Sequence, residues 1–440
     1  MRTPTSISTG NRGGGVAVLA TLVLLYVFVS LTPFRDLSDA VPALSADVQS
    51  NIVNQLISVL VFAAVMTFGL RREVRPLLAR PLLLIAALIC WIAVATILGP
   101  AGFGGMRRVI LSAMVIGIAG ALLLMPRDEH QLAGILAFSA SAVLGLCYFG
   151  VAFLPNLAIH QASDSLEPML AGDWRGVFSH KNDAGPAMVL LAFVGLFVAR
   201  VRARAIGWAI FVFAAIFVFQ SGGKTAMLLL PATLVVAWLI ERGNLFWRTV
   251  VVLAVVGGYS GLTIGSTLSP AVAGFVSSLG IDATFTGRTD IWNVAIDGIR
   301  AHPLLGYGYG GFWGTEGLVF GFREDTSWAA TAPAAHNSYI DMLLMGGVVG
   351  LLLSLVWLVA LPLRDLSKAI ARNGVTPLMR FYIRTWVFGL IAAGMESVIL
   401  SVASAVWFML LVAVFGLRLE ARAYRREAAA VLPAGALPAT

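Results

Sequence analysis

Long runs of apolar residues recur along the chain, and they restrict its fold more than any other feature. Each run holds roughly 17 to 25 residues, the length that a helix needs to cross the hydrocarbon core of a bilayer. Only 12% of the 440 residues are charged, against about 25% in a soluble domain. We therefore predict an all-α, polytopic integral membrane protein with about twelve transmembrane helices. The runs lie at about 15–33, 51–69, 81–99, 109–125, 132–154, 185–199, 205–219, 227–240, 249–266, 338–361, 381–396 and 400–417.

Lys and Arg are unevenly distributed between the connections, and this predicts the orientation of the chain. With the N-terminus inside, 21 of the 30 basic residues fall in inner segments and nine in outer ones. We expect both termini in the cytoplasm, an inner-membrane location, and long loops that face the periplasm. The basic residues form no patch interleaved with aromatic residues, so nucleic acid is not an expected partner.

Two outer loops are long enough to carry function, at about 155–184 and about 267–337. They suggest three segments: N-terminal transmembrane helices over 1–154, a core with both loops over 155–361, and C-terminal helices with a cytoplasmic tail over 362–440. Aromatic residues are frequent in the second loop, so we expect a large, partly helical periplasmic cap. They are Trp292, Tyr307, Tyr309, Phe312, Trp313, Phe320 and Trp328.

The stretch TGRTDIWNVAIDGIRAHP, residues 286–303, predicts an amphipathic helix within this cap. Apolar residues recur at helical spacing, and His302-Pro303 ends the pattern. The helix would begin just after Gly287-Arg288, which places Arg288 at the positive end where phosphate groups bind. The alternative interpretation is that Arg288 pairs with Asp290 or a neighbouring carboxylate, and the stretch alone does not choose between the two interpretations.

Further cations stand near the outer ends of predicted helices. The first loop ends in Arg175, His180, Lys181 and Asn182, directly before a membrane helix. Cations there commonly extend to the interface without a further role, and this interpretation competes with ligand binding. Lys224 is the one charge in the short connection QSGGKTA, where GxxxxGK[ST] does not occur and a nucleotide loop is disfavoured.

His336 opens the sequence HNSYIDMLLMGG at the mouth of a long apolar helix. At about 100 degrees per residue, Gly347 and Gly350 would lie on the face of His336 if the helix includes it. Gly346 and Gly350 would let a neighbouring helix approach closely. Asp341, about one turn further on, would either orient the ring or face water. Histidine suits proton transfer near neutral pH, so His336 is a candidate base.

These residues resemble the O-antigen ligase and polymerase superfamily of multispanning bacterial glycosyltransferases, which have a GT-C-like architecture. The ligase signature is His, then Asn, Ser or Gln, nine residues, Gly, two residues, and Gly, Thr or Tyr. This chain has His336, Asn337, Gly347 and Gly350 at those places. RGVFSHKNDAG, SGGKTA, TGRTDIW and HPLLGYGYGGFW look most like the exopolysaccharide-repeat polymerases of the rhizobial type.

The resemblance implies transfer of an undecaprenyl-diphosphate-linked oligosaccharide to a sugar hydroxyl at the periplasmic face, with no cofactor. The acceptor would be another glycan repeat in a polymerase of exopolysaccharide or O-antigen, or a lipid A core in an O-antigen ligase. His336 would be the base, Arg288 the diphosphate-binding arginine, and Lys224 stands where ligases carry a second arginine. Arg175 and Lys181 would add positive charge. Supporting roles would fall to His180, Asn182, Asn337, Asp341, Gly347 and Gly350.

Displacement of a lipid diphosphate builds negative charge on the leaving group, which cations or a metal must stabilise. No Asp-x-Asp occurs in the sequence, so we expect a metal-independent, inverting enzyme, with Asp36 and Asp39 as the open question for a metal. Other polysaccharide-assembly proteins are further candidate partners. A transporter of polysaccharide or lipid-linked sugar is the alternative class, since twelve spans with both termini inside is also a transporter layout.

Overall fold

The computed structural model describes residues 12–29, 32–38, 52–69, 75–165, 167–285, 287–315, 329 and 332–431. Helices dominate these residues, which contain no named strand and one isolated bridge between Ile159 and Trp174. The all-α prediction is therefore confirmed. The helices are α1 (Arg12–Phe28), α2 (Ile52–Gly69), α3 (Arg75–Leu98), α4 (Gly102–Leu122), α5 (Glu129–Phe153), α6 (Pro155–Ala158), α7 (Lys181–Val201), α8 (Arg204–Gln220), α9 (Lys224–Arg242), α10 (Leu245–Leu268), α11 (Pro270–Ser278), α12 (Arg288–Ala301), α13 (Ser338–Leu355), α14 (Leu361–Asn373), α15 (Pro377–Ala393) and α16 (Ala405–Val431).

Many of these helices have the length and composition of membrane spans. Six stretches in the described part are long and apolar enough to cross a bilayer, and a π-helical turn, Val356–Ala360, joins α13 to α14 within the last of them. They are Gly102–Leu122, Glu129–Phe153, Lys181–Val201, Lys224–Arg242, Leu245–Leu268 and Ser338–Asn373. Shorter apolar helices lie at Gly14–Phe28, Gln55–Thr67, Leu82–Leu98 and Arg204–Gln220. The chain is an integral membrane protein, and the full set of about twelve crossings stays a prediction.

The chain divides into two compact units whose ranges alternate along the sequence. The first unit is Met1–Val41, Leu56–Arg72 and Gly117–Met227, and the second is Pro42–Gln55, Glu73–Ile116 and Leu228–Thr440. The three segments predicted from the sequence, 1–154, 155–361 and 362–440, are instead continuous stretches of the chain, and this division remains a prediction.

In the first unit, α7 and α8 pack closely because glycines remove side chains from their contact. A Cβ added at Gly207 would lie 2.2 Å from the backbone nitrogen of Ala199, and one at Gly195 would lie 2.7 Å from the Gly207 carbonyl oxygen. Helices in lipid associate through such small residues, which let the backbones approach. Helix α5 packs against α7, against α8 and also against α1.

In the second unit, α12 packs against α10 and α13. Its buried side chains, including Ile291 and Trp292, form one apolar cluster with Tyr307, Phe312 and Leu344. The aromatic part of the second long loop is therefore ordered over its described residues. Of the aromatic residues predicted for this cap, Phe320 and Trp328 lie outside the described part.

Helix α13 is broken at Gly347, which has φ 62° and ψ −165°. A Cβ at this position would lie 2.0 Å from the carbonyl oxygen of Leu304. The left-handed backbone and the approaching loop both require glycine here. Gly347, the last residue of the HNSYIDMLLMGG stretch, thus ends one helical section. Its lack of a side chain leaves room for the loop that precedes α13.

The break frees backbone groups that a regular helix would pair internally, and neighbouring segments bind them. Such groups cost free energy if they stay unpaired in an apolar environment. The loop after α12 and a tryptophan of α3 supply the partners. The pairs are Tyr307 N to Leu344 O (2.6 Å), Gly308 N to Met345 O (3.1 Å), Val348 N to Pro303 O (2.8 Å) and Trp91 Nε1 to Gly346 O (2.7 Å).

Candidate active site

Arg288 is the first residue of α12 and follows Gly287, whose φ is 81°. The helix was predicted to begin just after Arg288 and in fact includes it, and its C-terminal cap is His302. The guanidinium donates from Nη2 to Glu396 Oε1 at 2.8 Å, and from Nη1 to the carbonyl of Met395. The carboxylate partner of Arg288 is therefore Glu396, which lies far away in sequence.

His336 lies before α13 and not on its surface. Asn337 is the N-terminal cap, and its Oδ1 accepts from the backbone N–H groups of Tyr339 (3.0 Å) and Ile340 (3.2 Å). The prediction that Gly347 shares a helical face with His336 is wrong, because it required His336 to be helical. The same prediction for Gly350 is wrong for a second reason, since the break at Gly347 interrupts the helix.

The backbone at His336 is held in a left-handed conformation, with φ 47°. Trp292 Nε1 donates to the Ala335 carbonyl at 2.9 Å, and the Ala335 N–H donates to Asp341 Oδ1 at 3.1 Å. A non-glycine residue with positive φ persists only where its surroundings fix it. Trp292 is one turn after Arg288, so α12 carries the cation and also holds the residue before the histidine.

The His336 ring meets the same carboxylate as Arg288. Nδ1 lies 3.0 Å from Glu396 Oε2, and the side chains of His336 and Glu396 are 31% and 25% exposed. A carboxylate at Nδ1 favours the tautomer that carries its proton there. Nε2 then keeps its lone pair, and it has no hydrogen-bond partner among the described residues. This is the state in which an imidazole accepts a proton from a substrate.

Glu396 is ionised between its two partners. Burial raises the pKa of this carboxyl, but the hydrogen bond from His336 and the charge of Arg288 outweigh it, and the pKa stays below its ordinary value. The carboxylate thus shares one negative charge between a guanidinium and an imidazole. What Arg288 does therefore affects His336 through Glu396.

The two residues after the histidine fix the connection that carries Glu396. Asn337 Nδ2 donates to the Gly394 carbonyl at 3.0 Å, and Ser338 Oγ donates to the Glu396 carbonyl at 2.7 Å. Ser338 Oγ also accepts from the Val398 N–H at 2.7 Å. Both side chains are buried. The sequence His-Asn-Ser therefore presents the base and also fixes the segment that orients it.

Asp341 does not bond His336 but accepts hydrogen bonds from residues next to it and to Glu396. Its Oδ1 accepts from Trp313 Nε1 at 2.8 Å as well as from Ala335, and its Oδ2 accepts from Ser397 Oγ. The expectation that Asp341 orients the His336 ring directly or faces water is wrong, since Glu396 holds the ring and three other donors occupy Asp341.

In the first unit, Arg175 is buried, with 1% of its surface exposed. Its Nη2 donates to the Arg35 carbonyl at 2.6 Å and its Nη1 to the Phe178 carbonyl at 3.3 Å. These bonds tie two segments of backbone together. The expectation that Arg175 binds diphosphate finds no support in this geometry, because the guanidinium is enclosed.

The residues at the start of α7 are also engaged. His180 caps the helix: its Nδ1 accepts from the Asn182 N–H at 3.0 Å, and its Nε2 lies 2.6 Å from Glu167 Oε2. The Lys181 ammonium lies 2.6 Å from Asp173 Oδ2. Both nitrogens of His180 therefore have partners, and Lys181 is neutralised by a carboxylate.

Lys224 begins α9 and is exposed. The turn before it packs on the end of the first loop: Trp174 N donates to the Gln220 carbonyl at 3.0 Å, and a Cβ at Gly222 would lie 2.1 Å from Asp173 Oδ1. The predicted cations thus fall into two sets. Arg175, Lys181 and Lys224 belong to the first unit, and Arg288 belongs to the second with His336.

Within the described residues, no group of three or more His, Cys, Asp or Glu side chains is arranged to hold a metal ion. Asp36 accepts from the Ser38 N–H at 2.9 Å. Asp39, the other acidic residue considered for a metal, lies outside the described part.

Sequence reasoning identified Arg288 and His336 but did not connect Glu396 to them. The available signal was a single acidic residue in the apolar stretch AAGMESVILS, residues 392–401. An ionisable residue in such surroundings marks a functional site with a partner.

Residues 209–355 match the model of the O-Antigen ligase family. The matched region includes Lys224, Arg288, His336 and Gly347, whereas Glu396 lies beyond it. The resemblance of this polytopic membrane protein to the O-antigen ligase and polymerase superfamily is confirmed over that region.

More particularly, the chain is similar to the exopolysaccharide production protein ExoQ of Rhizobium meliloti (strain 1021). The two are 29% identical over 105 residues, which is 22% of this chain and 23% of that protein. The match therefore spans less than a quarter of the relative's length. It agrees with the predicted likeness to polysaccharide polymerases of the rhizobial type.

Proposed function

We propose that the chain is a membrane glycosyltransferase that transfers a glycan from undecaprenyl diphosphate to a sugar hydroxyl at the periplasmic face. Its products would be polymerised repeat units of exopolysaccharide or O-antigen. The observation that carries this proposal is the geometry of Glu396, which joins a cation at a helix N-terminus to a histidine with one open ring nitrogen.

In this mechanism, His336 Nε2 takes the proton of the acceptor hydroxyl. The hydroxyl oxygen attacks the anomeric carbon of the donor, and the bond from that carbon to the diphosphate breaks. The electron pair leaves with undecaprenyl diphosphate, and the anomeric configuration inverts in this single displacement. His336 then returns its proton to water. Removal of a general base typically costs about 10² to 10⁴-fold in rate.

Arg288 would bind the diphosphate and stabilise the charge that builds on it. A planar guanidinium contacts two phosphate oxygens at once, and the N-terminus of α12 adds backbone N–H groups and the positive end of the helix dipole. These fixed charges fill the role that a divalent cation plays in other transferases, so the reaction is proposed to be metal-independent. Transfer should then continue in EDTA.

We base the periplasmic location of the site on the uneven distribution of Lys and Arg between the connections. Substituted cysteines test it. A cysteine at Asp290, in the first turn of α12, should react with a membrane-impermeant thiol reagent added from the periplasm. A cysteine at Lys368, in α14, should react only after the cytoplasmic side is opened. The reverse pattern would reject the orientation and the side of the proposed reaction.

An O-antigen ligase is the second candidate, because the matched family carries that description. The name of the similar rhizobial protein refers to exopolysaccharide production, which favours a polymerase. The acceptor distinguishes them. Purified protein given only the lipid-linked repeat should lengthen it if the chain is a polymerase. Transfer that requires a lipid A core would identify a ligase.

The same assay addresses the transporter alternative. Protein in detergent micelles has no compartments across which to move a substrate, so glycan transfer there requires an enzyme. Movement of a labelled lipid-linked glycan across proteoliposomes, without any new glycosidic bond, would overturn the proposed function.

A further inference from the structure

Glu396 is the one carboxylate in the described part that bonds both Arg288 and His336. Its Oε1 lies 2.8 Å from Arg288 Nη2 and its Oε2 lies 3.0 Å from His336 Nδ1. In this arrangement the guanidinium that would bind the donor is occupied by the carboxylate that would strengthen the base. Glu396 therefore pairs both with the cation that would bind the donor and with the histidine that would act as the base.

We infer that Glu396 makes the base dependent on the donor: an incoming diphosphate takes Arg288 from Glu396, and the freed carboxylate then acts on His336 alone. This inference rests on the proposed function and adds a coupling between donor binding and proton transfer. Glu396 is a positioning residue in this scheme, since it acts through His336 and Arg288 and touches neither substrate.

The exposure of the three side chains permits such an exchange. Arg288, Glu396 and His336 are 20%, 25% and 31% exposed, so solvent reaches each of the three side chains. Solvent partly screens an ion pair at this exposure, so the pair is weaker than a fully buried one. A diphosphate offers the guanidinium two anionic oxygens in a planar fork, and it therefore competes well against one carboxylate oxygen.

The backbone around Glu396 would not move during the exchange. Ser338 and Asn337 hold the Glu396 and Gly394 carbonyls. Met395, whose carbonyl also accepts from Arg288, lies between these two anchored residues. Only the Arg288 side chain has to turn towards the donor, and Glu396 stays in place beside the imidazole.

The charges that face Glu396 favour this direction of coupling. Arg288 and His336 bond it directly, and the Tyr259 side chain of α10 lies within electrostatic range. Asp341 is close enough to His336 to interact electrostatically with it. When the diphosphate binds Arg288, the cation's charge is offset by phosphate and less of it reaches Glu396. The imidazole then faces a carboxylate that retains its full charge, and it accepts the hydroxyl proton more readily.

The coupling predicts effects of opposite sign on binding and turnover in Glu396→Gln. Glutamine no longer competes for Arg288 as a charge, so undecaprenyl diphosphate should bind about two- to fivefold more tightly, as expected from removal of a partly screened ion pair. The value of kcat for glycan transfer should fall by about tenfold or more, because the imidazole loses its carboxylate. A residue with a purely structural role would weaken both or neither.

Two matched variants complete the experiment with full-length protein in detergent. Glu396→Asp keeps the charge and should restore weaker, wild-type-like binding with part of kcat. Asp290→Asn removes one negative charge from the same helix end but leaves the Glu396 pair, and it should change neither quantity beyond about twofold. Size-exclusion profiles and thermal midpoints establish that each variant is folded.

The possible failures are distinct. Wild-type protein that neither binds undecaprenyl diphosphate nor transfers glycan would reject the proposed function. Wild-type protein that does both, with a Glu396→Gln variant that binds undecaprenyl diphosphate more weakly or turns over normally, would reject the coupling and leave the function standing. Equal tightening in Asp290→Asn would also reject it, since general electrostatics would then explain the binding change.

Discussion

The first and second units each place a histidine beside a glutamate in a connection between helices, but they use the second ring nitrogen differently. In the first unit, His180 Nε2 meets Glu167 while Nδ1 caps α7. In the second, His336 Nδ1 meets Glu396, and Nε2 is open within the described part of the chain. A histidine–carboxylate pair is therefore a candidate base only where one nitrogen remains free. His180 serves the helix, and His336 is available to a substrate.

The arginines of the two units differ in the same way. Arg175 is enclosed and donates to the backbone carbonyls of Arg35 and Phe178. Arg288 is partly exposed and held by a carboxylate that a phosphate can replace. Both arginines lie close to the predicted start of a helix, so the sequence made both of them candidates for binding a phosphate. Burial and the type of partner separate a cation that joins backbone segments from one that can bind a ligand.

The largest effect should come from replacing the open histidine. His336→Gln retains hydrogen bonding but cannot act as a base, so glycan transfer by purified protein should fall by about 10² to 10⁴-fold. His180→Gln is the matched control, and it should stay within about threefold of wild type because His180 is a helix cap worth only about 1 kcal/mol of stability. A His336→Gln enzyme with near-normal turnover would make this histidine a positioning group and break the comparison.

The arginine pair should give the next effect. Arg288→Lys keeps the charge without the two-point contact, so transfer should fall by about tenfold or more, and Arg288→Ala should be at least as impaired. Arg175→Lys should instead lower the thermal midpoint, because lysine cannot keep both guanidinium bonds to the Arg35 and Phe178 carbonyls, and a hydrogen bond from a charged group contributes about 1.5–3 kcal/mol. Radioactive transfer assays and thermal denaturation measure the two outcomes. Loss of donor binding in a well-folded Arg175→Lys protein would contradict this assignment.

A smaller effect, on the thermal midpoint, is expected from a substitution at the break in α13. Gly347→Ala places a Cβ against the Leu304 carbonyl at a positive φ, and strained backbone of this kind costs about 1–3 kcal/mol. The thermal midpoint should fall by several degrees. Gly257→Ala, in α10, is the control, since its Cβ would meet nothing within 4 Å. Similar midpoints for the two variants would show that the break in α13 tolerates a side chain.

The smallest effects concern pH, and they separate the units once more. The Glu396 pKa lies below its ordinary 4.5, so its pairing contributes stability that is complete above 4.5 and is lost as the pH falls through the lower folded value. Burial lowers the pKa of His160 below 6.5, against the hydrogen bond that its ring donates to Asp164. The unfolded chain therefore binds a proton first, and stability declines as the pH drops below 6.5.

Thermal midpoints at stepped pH test both statements. The gap between wild type and Glu396→Gln should stay constant down to about pH 4.5 and then close. Wild type should lose stability relative to His160→Gln below pH 6.5. A Glu396 gap that already closes near neutral pH would mean that the carboxylate is not held ionised by its two partners.

Local signals predicted much of the fold and part of the site. The start of α12 near Arg288 and its end at His302 followed from the apolar period and the His302-Pro303 stop. The predicted apolar run began at residue 338, as α13 does, but its helical face was extended back to His336, although Asn337 is a strong capping residue that signals a helix beginning at Ser338. With that signal used, the supposed helical face of His336 would not have been proposed.

The rest depended on contacts that no local pattern encodes. Glu396 meets His336 across 60 residues and Arg288 across 108. Helical periodicity describes which residues share a face of one helix, but it does not say which connection meets which helix end. The break at Gly347 was missed for the same reason, because its cause is the approach of Leu304 from another segment.

The broken helix α13 also has a consequence for how the protein is made. Every group that pairs with the break belongs to a segment that leaves the ribosome earlier: Trp91 far ahead, and residues 303–308 shortly before. Synthesis proceeds from the N-terminus, and units form as they emerge. When Gly347 enters the membrane, the donors and acceptors that it needs have already been synthesised, so the nascent chain is not required to hold an open peptide group in lipid while it waits for a later partner.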